Sequence, residues 1–305
     1  MKKTTYILLL ISLVFVGCKK QEKKESDQLN IVTTTTMITD LLKEIGGDKI
    51  SLQGLMGTGV DPHLYKAIEG DVTKLFEADI VFYNGLHLES KLEEVFENMR
   101  RQNKKTIAVS SVLDKNILIG SEYFASNYDP HVWFDVYNWE LITNYVTQQL
   151  IDNDPKNKLY YEANKKDYLI QLKLLRSKLI AQINQLPKEK RILVTAHDAF
   201  NYFGKALDFQ VVGLQGLSTA TEAGVQDVQK LASFIIENKI KAIFVESSVP
   251  KKTIEALQES VKAQGHEVSI GGTLYSDALG NPNTVEGTYI GMYEHNVNTI
   301  VNALK

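Results

Sequence analysis

The sequence predicts an α/β protein: two small domains, each with a mostly parallel four-stranded sheet flanked by helices, joined by one long helix. Three observations predict it. Short β-branched runs alternate with helix-like segments over two stretches of the chain. A span of about thirty residues free of internal Gly and Pro separates them. At 305 residues the chain also exceeds the usual size of a single core.

Residues 1–17 stand apart. Lys2 and Lys3 precede an apolar stretch from Tyr6 to Val16, then Gly17 and the single cysteine, Cys18. The stretch is short for a bilayer span and has the n-region and h-region of a secretory signal. A lone cysteine cannot make an internal disulfide, so its place directly after that signal points to another use. The segment resembles a bacterial lipoprotein signal, in which the cysteine becomes the lipidated first residue of the mature chain. Phe15 departs from the Leu usual three residues before it. Loss of Lys2 and Lys3 with this leader moves the formal net charge from −3 to −5. Residues 18–28, charged and polar beyond the cysteine and without apolar periodicity, read as a flexible tether.

Residues 29–154 hold the first set of strand-like runs: Ile31 to Thr34, Leu52 to Met56, Ile80 to Tyr83 and Thr106 to Val109. Residues 188–305 hold the second: Ile192 to Val194, Gln210 to Val212, Ala242 to Val245 and Glu267 to Ile270. Strands alternating with helical segments imply parallel pairing through crossover helices. Between the sets, residues 155–187 predict a linking helix of about thirty residues, roughly 45 Å long at 1.5 Å per residue. Asp154 before Pro155 supplies a start signal, Pro187 a stop, and Leu159, Ala163, Ile170, Leu174, Leu179, Ile183 and Leu186 recur at roughly helical spacing. A break near Asp167 would make two ordinary helices instead.

Charge is mixed, 34 basic against 37 acidic residues, which gives no footprint for nucleic acid. The chemistry lies instead in four residues expected just after strand-like runs: His63, His131, His197 and Asp277. Two close the same tripeptide, Asp61-Pro62-His63 and Asp129-Pro130-His131, where proline stiffens the turn ahead of the histidine. Asp61 and Asp129 could cap the following turns or accept hydrogen bonds beside the histidines. His197 is followed by Asp198, which could orient its ring or cap a helix. Ligands of open α/β sheets bind beyond the carboxyl ends of the strands. Three imidazoles and a carboxylate, two from each half, have the composition of one divalent-metal site in a cleft. His87, His266 and His295 have no repeated surroundings and read as surface or packing positions. Glu246 ends a strand and reads equally as a cleft or a structural carboxylate.

At these residues the sequence resembles the metal-binding solute-binding lipoproteins of bacterial ABC importers, the zinc and manganese group whose domains share one long helix. The resemblance runs from Ile31 to the C-terminal helix. It is carried by Gly59 to Tyr65, Asn84 to Glu89, Asp129 to Asp135, Thr195 to Phe200 and Tyr275 to Gly280, in that order. It implies His63, His131, His197 and Asp277 as the four ligands. Histidine at the third position goes with zinc-binding or mixed zinc and manganese members, glutamate with manganese-selective ones. Ser218 to Ala223 resembles a family loop that commonly has proline where this chain has Ala223.

The expectation is therefore a monomeric, lipid-anchored protein of the bacterial envelope, facing the periplasm or the cell surface. It would capture one Zn²⁺ per chain and deliver it to an ABC permease, with Mn²⁺ or ferrous iron as alternative cargo. Four protein ligands saturate a tetrahedral ion, whereas a catalytic zinc keeps a position for water, and no His-Glu-x-x-His helix is present. A tethered metallohydrolase with Asp277 as base, and an adhesin, are the readings from other classes.

Overall fold

The computed structural model describes residues 28–122 and 124–305. The leader at 1–17, the lipidation candidate Cys18 and all but the last residue of the tether lie outside them. The described chain runs β1 (Leu29–Thr33), α1 (Thr36–Gly46), β2 (Ile50–Gly54), α2 (Glu69–Glu77), β3 (Ile80–Tyr83), α3 (Glu93–Arg101), β4 (Lys105–Ala108) and α4 (Val136–Asn153). It continues through α5 (Lys158–Ile183), β5 (Ile192–His197), α6 (Asn201–Leu207), β6 (Gln210–Gln215), α7 (Val225–Glu237), β7 (Ala242–Glu246), α8 (Lys252–Ala263), β8 (Ser269–Leu274) and α9 (Tyr289–Leu304).

The first four strands form one parallel sheet in the order β2-β1-β3-β4. Each connection between them carries a helix, as parallel neighbours require. In the second half the four strands pair in parallel as β5-β6 and β7-β8, with β5 lying beside β7. The expected strands are all found. β2 starts two residues before the expected run, at Ile50, and β8 two residues after, at Ser269.

The linking helix forms without a break at Asp167. Its first turn, Pro155–Asn157, is 3-10 helix, and the α-helix covers the 26 residues of α5. The Asp154 side chain caps no backbone N–H of that turn, although its main-chain carbonyl accepts the Asn157 N–H at 3.2 Å. Its carboxylate accepts from Asn157 Nδ2 at 2.7 Å and from the Tyr161 hydroxyl at 2.5 Å. The buried stripe also differs from the expected one. Tyr161, Tyr168, Leu172, Leu175, Leu179, Ile183 and Leu186 face inward, whereas Leu159, Ile170 and Leu174 are exposed. Tyrosine carries enough apolar area to hold a core position and a hydroxyl that then needs a partner. Tyr161 finds Asp154, and Tyr168 accepts from Trp139 Nε1 at 3.2 Å.

α5 packs against α1 and α4 from the first half and α9 from the second. One core therefore runs through both halves, with Trp139 of α4 stacked on Tyr289 of α9 at 4.9 Å and Phe134 against Phe200 at 4.4 Å. Aromatic pairs of this kind add about 0.5–1.5 kcal/mol each beyond area burial. They join the two halves beside the loops that carry the four candidate residues.

Candidate metal centre

His197 is the last residue of β5, and Asp277 follows β8 by three residues. His63 lies on the loop after β2. His131 departs from the expected placement, sitting well beyond β4 at the entrance to α4. The intervening chain doubles back through the bridge Gly120 to Tyr128, and Asp129 N–H donates to the Ile119 carbonyl at 2.9 Å. The Asn84 amide, just beyond β3, donates to the Pro130 carbonyl at 2.9 Å and pins the second Asp-Pro-His turn. Glu89 in turn holds the Asn84 and Gly85 N–H groups at 2.7 and 3.2 Å and the Thr34 hydroxyl at 2.7 Å. The run from Asn84 to Glu89 thus braces the site without touching its centre.

Both Asp-Pro-His tripeptides fold alike. Asp61 Oδ1 accepts the His63 N–H at 2.9 Å, and Asp129 Oδ1 accepts the His131 N–H at 2.9 Å. Such a side-chain turn is what Asp two residues ahead favours. Asp129 Oδ1 also lies 2.7 Å from His131 Nδ1, leaving Nε2 to face inward. For His197 the neighbouring Asp198 does not supply this contact. Glu246, at the end of β7, does so, 2.6 Å from Nδ1. Its position follows from β5 lying beside β7, which no local sequence signal encodes.

The four side chains are buried and offer donor atoms that all lie within 4.8 Å of one another. His63 Nε2 is 3.3 Å from His131 Nε2, and Asp277 Oδ2 is 3.2 Å from His197 Nε2 and 4.0 Å from His63 Nε2. Asp277 Oδ1 is 3.6 Å from His131 Nε2. Neither oxygen of Asp277 has a hydrogen-bond partner among the described residues. A buried carboxylate in that condition needs a cation beside it, a place the His197 ring, 3.2 Å away, holds when protonated. His87, His266 and His295 lie outside the cluster: His87 meets Glu93, while the rings of His266 and His295 meet the carbonyls of Ile240 and Thr273.

Electrostatics separate the histidines. Burial pushes the pKa of His63 down to about 3 against the pull of Asp277, so its ring is neutral. Burial also disfavours the cation at His197, but Glu246 and Asp277 outweigh it and raise its pKa well above the ordinary value. At Asp277 burial is again opposed, here by His197, His131 and His63, which hold its pKa below the ordinary carboxylate range. The surroundings keep the Asp277 carboxylate ionised and favour a proton on His197.

Two α/β halves meeting over four buried donor residues have the arrangement of a solute-binding protein, and three imidazoles with a carboxylate suit a divalent metal as the solute. The chain belongs to the family of the zinc-uptake complex component A, periplasmic (ZnuA), whose model matches residues 31–303. It is 44% identical to the manganese-binding lipoprotein MntA of Bacillus subtilis over 98% of this chain and 97% of that one. It is 47% identical to the zinc-binding protein TroA of Treponema pallidum over 90% of this chain and 88% of the relative. The solved structure of that periplasmic zinc-binding protein superposes with a TM-score of 0.88, covering 91% of this chain and 99% of the other. The protein is thus a metal-binding solute-binding component of an ABC importer and not an enzyme.

Proposed function

We propose that this protein captures one zinc ion outside the cytoplasm through His63, His131, His197 and Asp277 and hands it to an ABC permease. The observation that carries the reading is the set of four buried donor residues within 4.8 Å, with both Asp277 oxygens lacking a hydrogen-bond partner among the described residues. Tetrahedral zinc with bonds of about 2.0–2.1 Å has donor-to-donor edges of about 3.3 Å. The shortest spacings here, 3.2 and 3.3 Å, match that edge. Three imidazoles favour zinc on intrinsic affinity, since the Irving–Williams order puts manganese lowest.

Manganese is the second reading for the cargo. Both Asp277 oxygens face histidine nitrogens, so the carboxylate can offer a fifth donor to a larger ion, and MntA is named for manganese. Ferrous iron is a third. In the same reading residues 29–154 and 188–305 act as two metal-binding domains hinged on the helix at 155–187. Cys18 carries a lipid that holds the monomer at the bacterial envelope, in keeping with relatives named as lipoproteins.

The test is dialysis of the metal-stripped chain after Cys18 against equal low concentrations of zinc and manganese, followed by elemental analysis. The expected result is about one zinc per chain, absent in His197→Ala and kept in His266→Ala. One manganese would leave capture standing and replace the cargo. No retained metal would remove the reading.

A further inference from the structure

We infer that Glu246 is the positioning residue that sets the tautomer of His197, and so decides whether that ring can act as a metal ligand. The inference rests on the four-residue site just proposed. Glu246 is buried and reaches His197 twice: Oε1 accepts the His197 backbone N–H at 2.9 Å, and Oε2 lies 2.6 Å from ring Nδ1. The second contact is short but too far off line to count as a hydrogen bond. A carboxylate oxygen that close repels a lone pair on Nδ1 and favours the ring form that carries its proton there. With Nδ1 protonated, Nε2 is the nitrogen left to bind once it gives up its own proton, and it is the one that faces Asp277 at 3.2 Å.

Only a carboxylate fits this position. The two donors belong to one residue, and each takes its own oxygen of Glu246. A glutamine at 246 has one acceptor. If its oxygen keeps the backbone N–H, its amide N–H₂ faces Nδ1, which must then be the bare nitrogen. The ring proton moves to Nε2 and points at the metal position. If the amide turns over, N–H₂ meets the buried backbone N–H, donor against donor, a cost of about 1–3 kcal/mol.

His131 is built differently, which supplies the control. Its backbone N–H and Nδ1 share a single oxygen, Asp129 Oδ1, at 2.9 and 2.7 Å. The other oxygen, Oδ2, accepts from Asn201 Nδ2 at 3.1 Å. Asparagine at 129 can keep Oδ1 in place and turn its amide toward Asn201, whose own amide can turn to accept. Asp129→Asn and Glu246→Gln each remove one buried negative charge beside a ligand histidine, and only the second removes a needed acceptor.

The experiment compares zinc affinity of the two variants by chelator competition and reads the ring nitrogens of His197 by ¹⁵N NMR. Partners of ligating histidines are worth about 10–100-fold in metal affinity. Glu246→Gln is expected at or beyond the upper end, with Nδ1 of His197 deprotonated in the metal-free variant. Asp129→Asn is expected at about tenfold or less. Zinc-loaded wild type should carry zinc on Nε2 and a proton on Nδ1, a reading that needs no variant to fold. Equal losses in the two variants would show that charge alone acts, and zinc on Nδ1, or a proton kept on Nδ1 in Glu246→Gln, would overturn the inference. If His197→Ala still holds zinc at full affinity, the site itself is wrong rather than the role of Glu246.

Discussion

The Thr219 hydroxyl donates to Asp61 Oδ2 at 2.5 Å and joins the loop after β6 to the loop that carries His63. Asp61 holds the His63 N–H with its other oxygen, so the contact links the second half directly to a candidate ligand on the first. Hydrogen bonds to a charged acceptor contribute about 1.5–3 kcal/mol. Thr219→Val keeps the shape and removes the donor. Metal release, followed by stopped flow into excess chelator, should quicken by about tenfold or more. An unchanged off-rate would show that closure does not run through this pair.

Proton release on metal binding follows from the unequal histidines. His63 is neutral above about pH 3, so it gives up nothing near neutrality. The raised pKa of His197, set against burial by Glu246 and Asp277, leaves that ring protonated in the metal-free protein. A metal must displace that proton, and affinity rises with pH until the His197 pKa is passed. Calorimetry in buffers of different ionisation enthalpy should report about one proton released per metal at pH 7. Three histidines with ordinary pKa values would instead release about 0.7 proton at pH 7 and only about 0.1 at pH 8, so a full proton still released at pH 8 is the distinguishing result.

Asp40 of α1 accepts the Tyr289 N–H at 2.8 Å, at the start of α9. Burial pushes its pKa up to about 6, the Tyr289 hydrogen bond opposing and Glu44 adding to the rise. Its folded-state pKa lies above the unfolded one, so the folded chain binds more protons between about pH 4 and 6. Stability from this group therefore falls as pH rises through that window and is level above it. The full effect is on the order of 3 kcal/mol. Asp40→Asn keeps an oxygen for Tyr289, so denaturation curves should show the slope removed and stability at pH 7 raised.

Leu172 and Leu174 of α5 separate what periodicity reveals from what it hides. Leu172 is fully buried and Leu174 is 66% exposed. Leu172→Ala should cost about 2–5 kcal/mol and Leu174→Ala less than about 0.5 kcal/mol, measured by denaturant unfolding. Counting aliphatic residues alone put Leu174 on the stripe, because the true stripe is completed by Tyr161 and Tyr168. The helix itself was legible, since its freedom from Gly and Pro is a property of contiguous residues. Strand identity was legible for the same reason. The histidines on Asp-Pro-His turns and the one ending β5 were legible because their motifs are local. Glu246 and Thr219 were not, because each acts on a residue far away in the chain, and only strand adjacency and loop closure bring them there. Asp198, beside His197 in sequence, drew the role that Glu246 holds.

Gly213 tests how tightly that adjacency is set. It pairs with Thr195 across the β5-β6 ladder, next to the end of β5 that carries His197. A Cβ at this position would sit 2.6 Å from Asp198 N and 2.7 Å from both Asp198 Cα and the His197 carbonyl carbon. Every one of those atoms is backbone, so no side-chain rotation relieves the clash and the end of β5 must move. Overpacking of this kind costs about 1–3 kcal/mol in stability. Here the displacement falls on the residue whose ring nitrogen lies 3.2 Å from Asp277, so the larger effect should be on metal affinity. Gly216 lies on the same segment, and a Cβ there meets nothing within 4 Å. Gly213→Ala is expected to weaken zinc binding by about tenfold or more while Gly216→Ala leaves it within about twofold. Equal affinities in the two variants would mean that β5 can yield without moving His197, and that the rigidity of the strand end is not what holds the ligand in place.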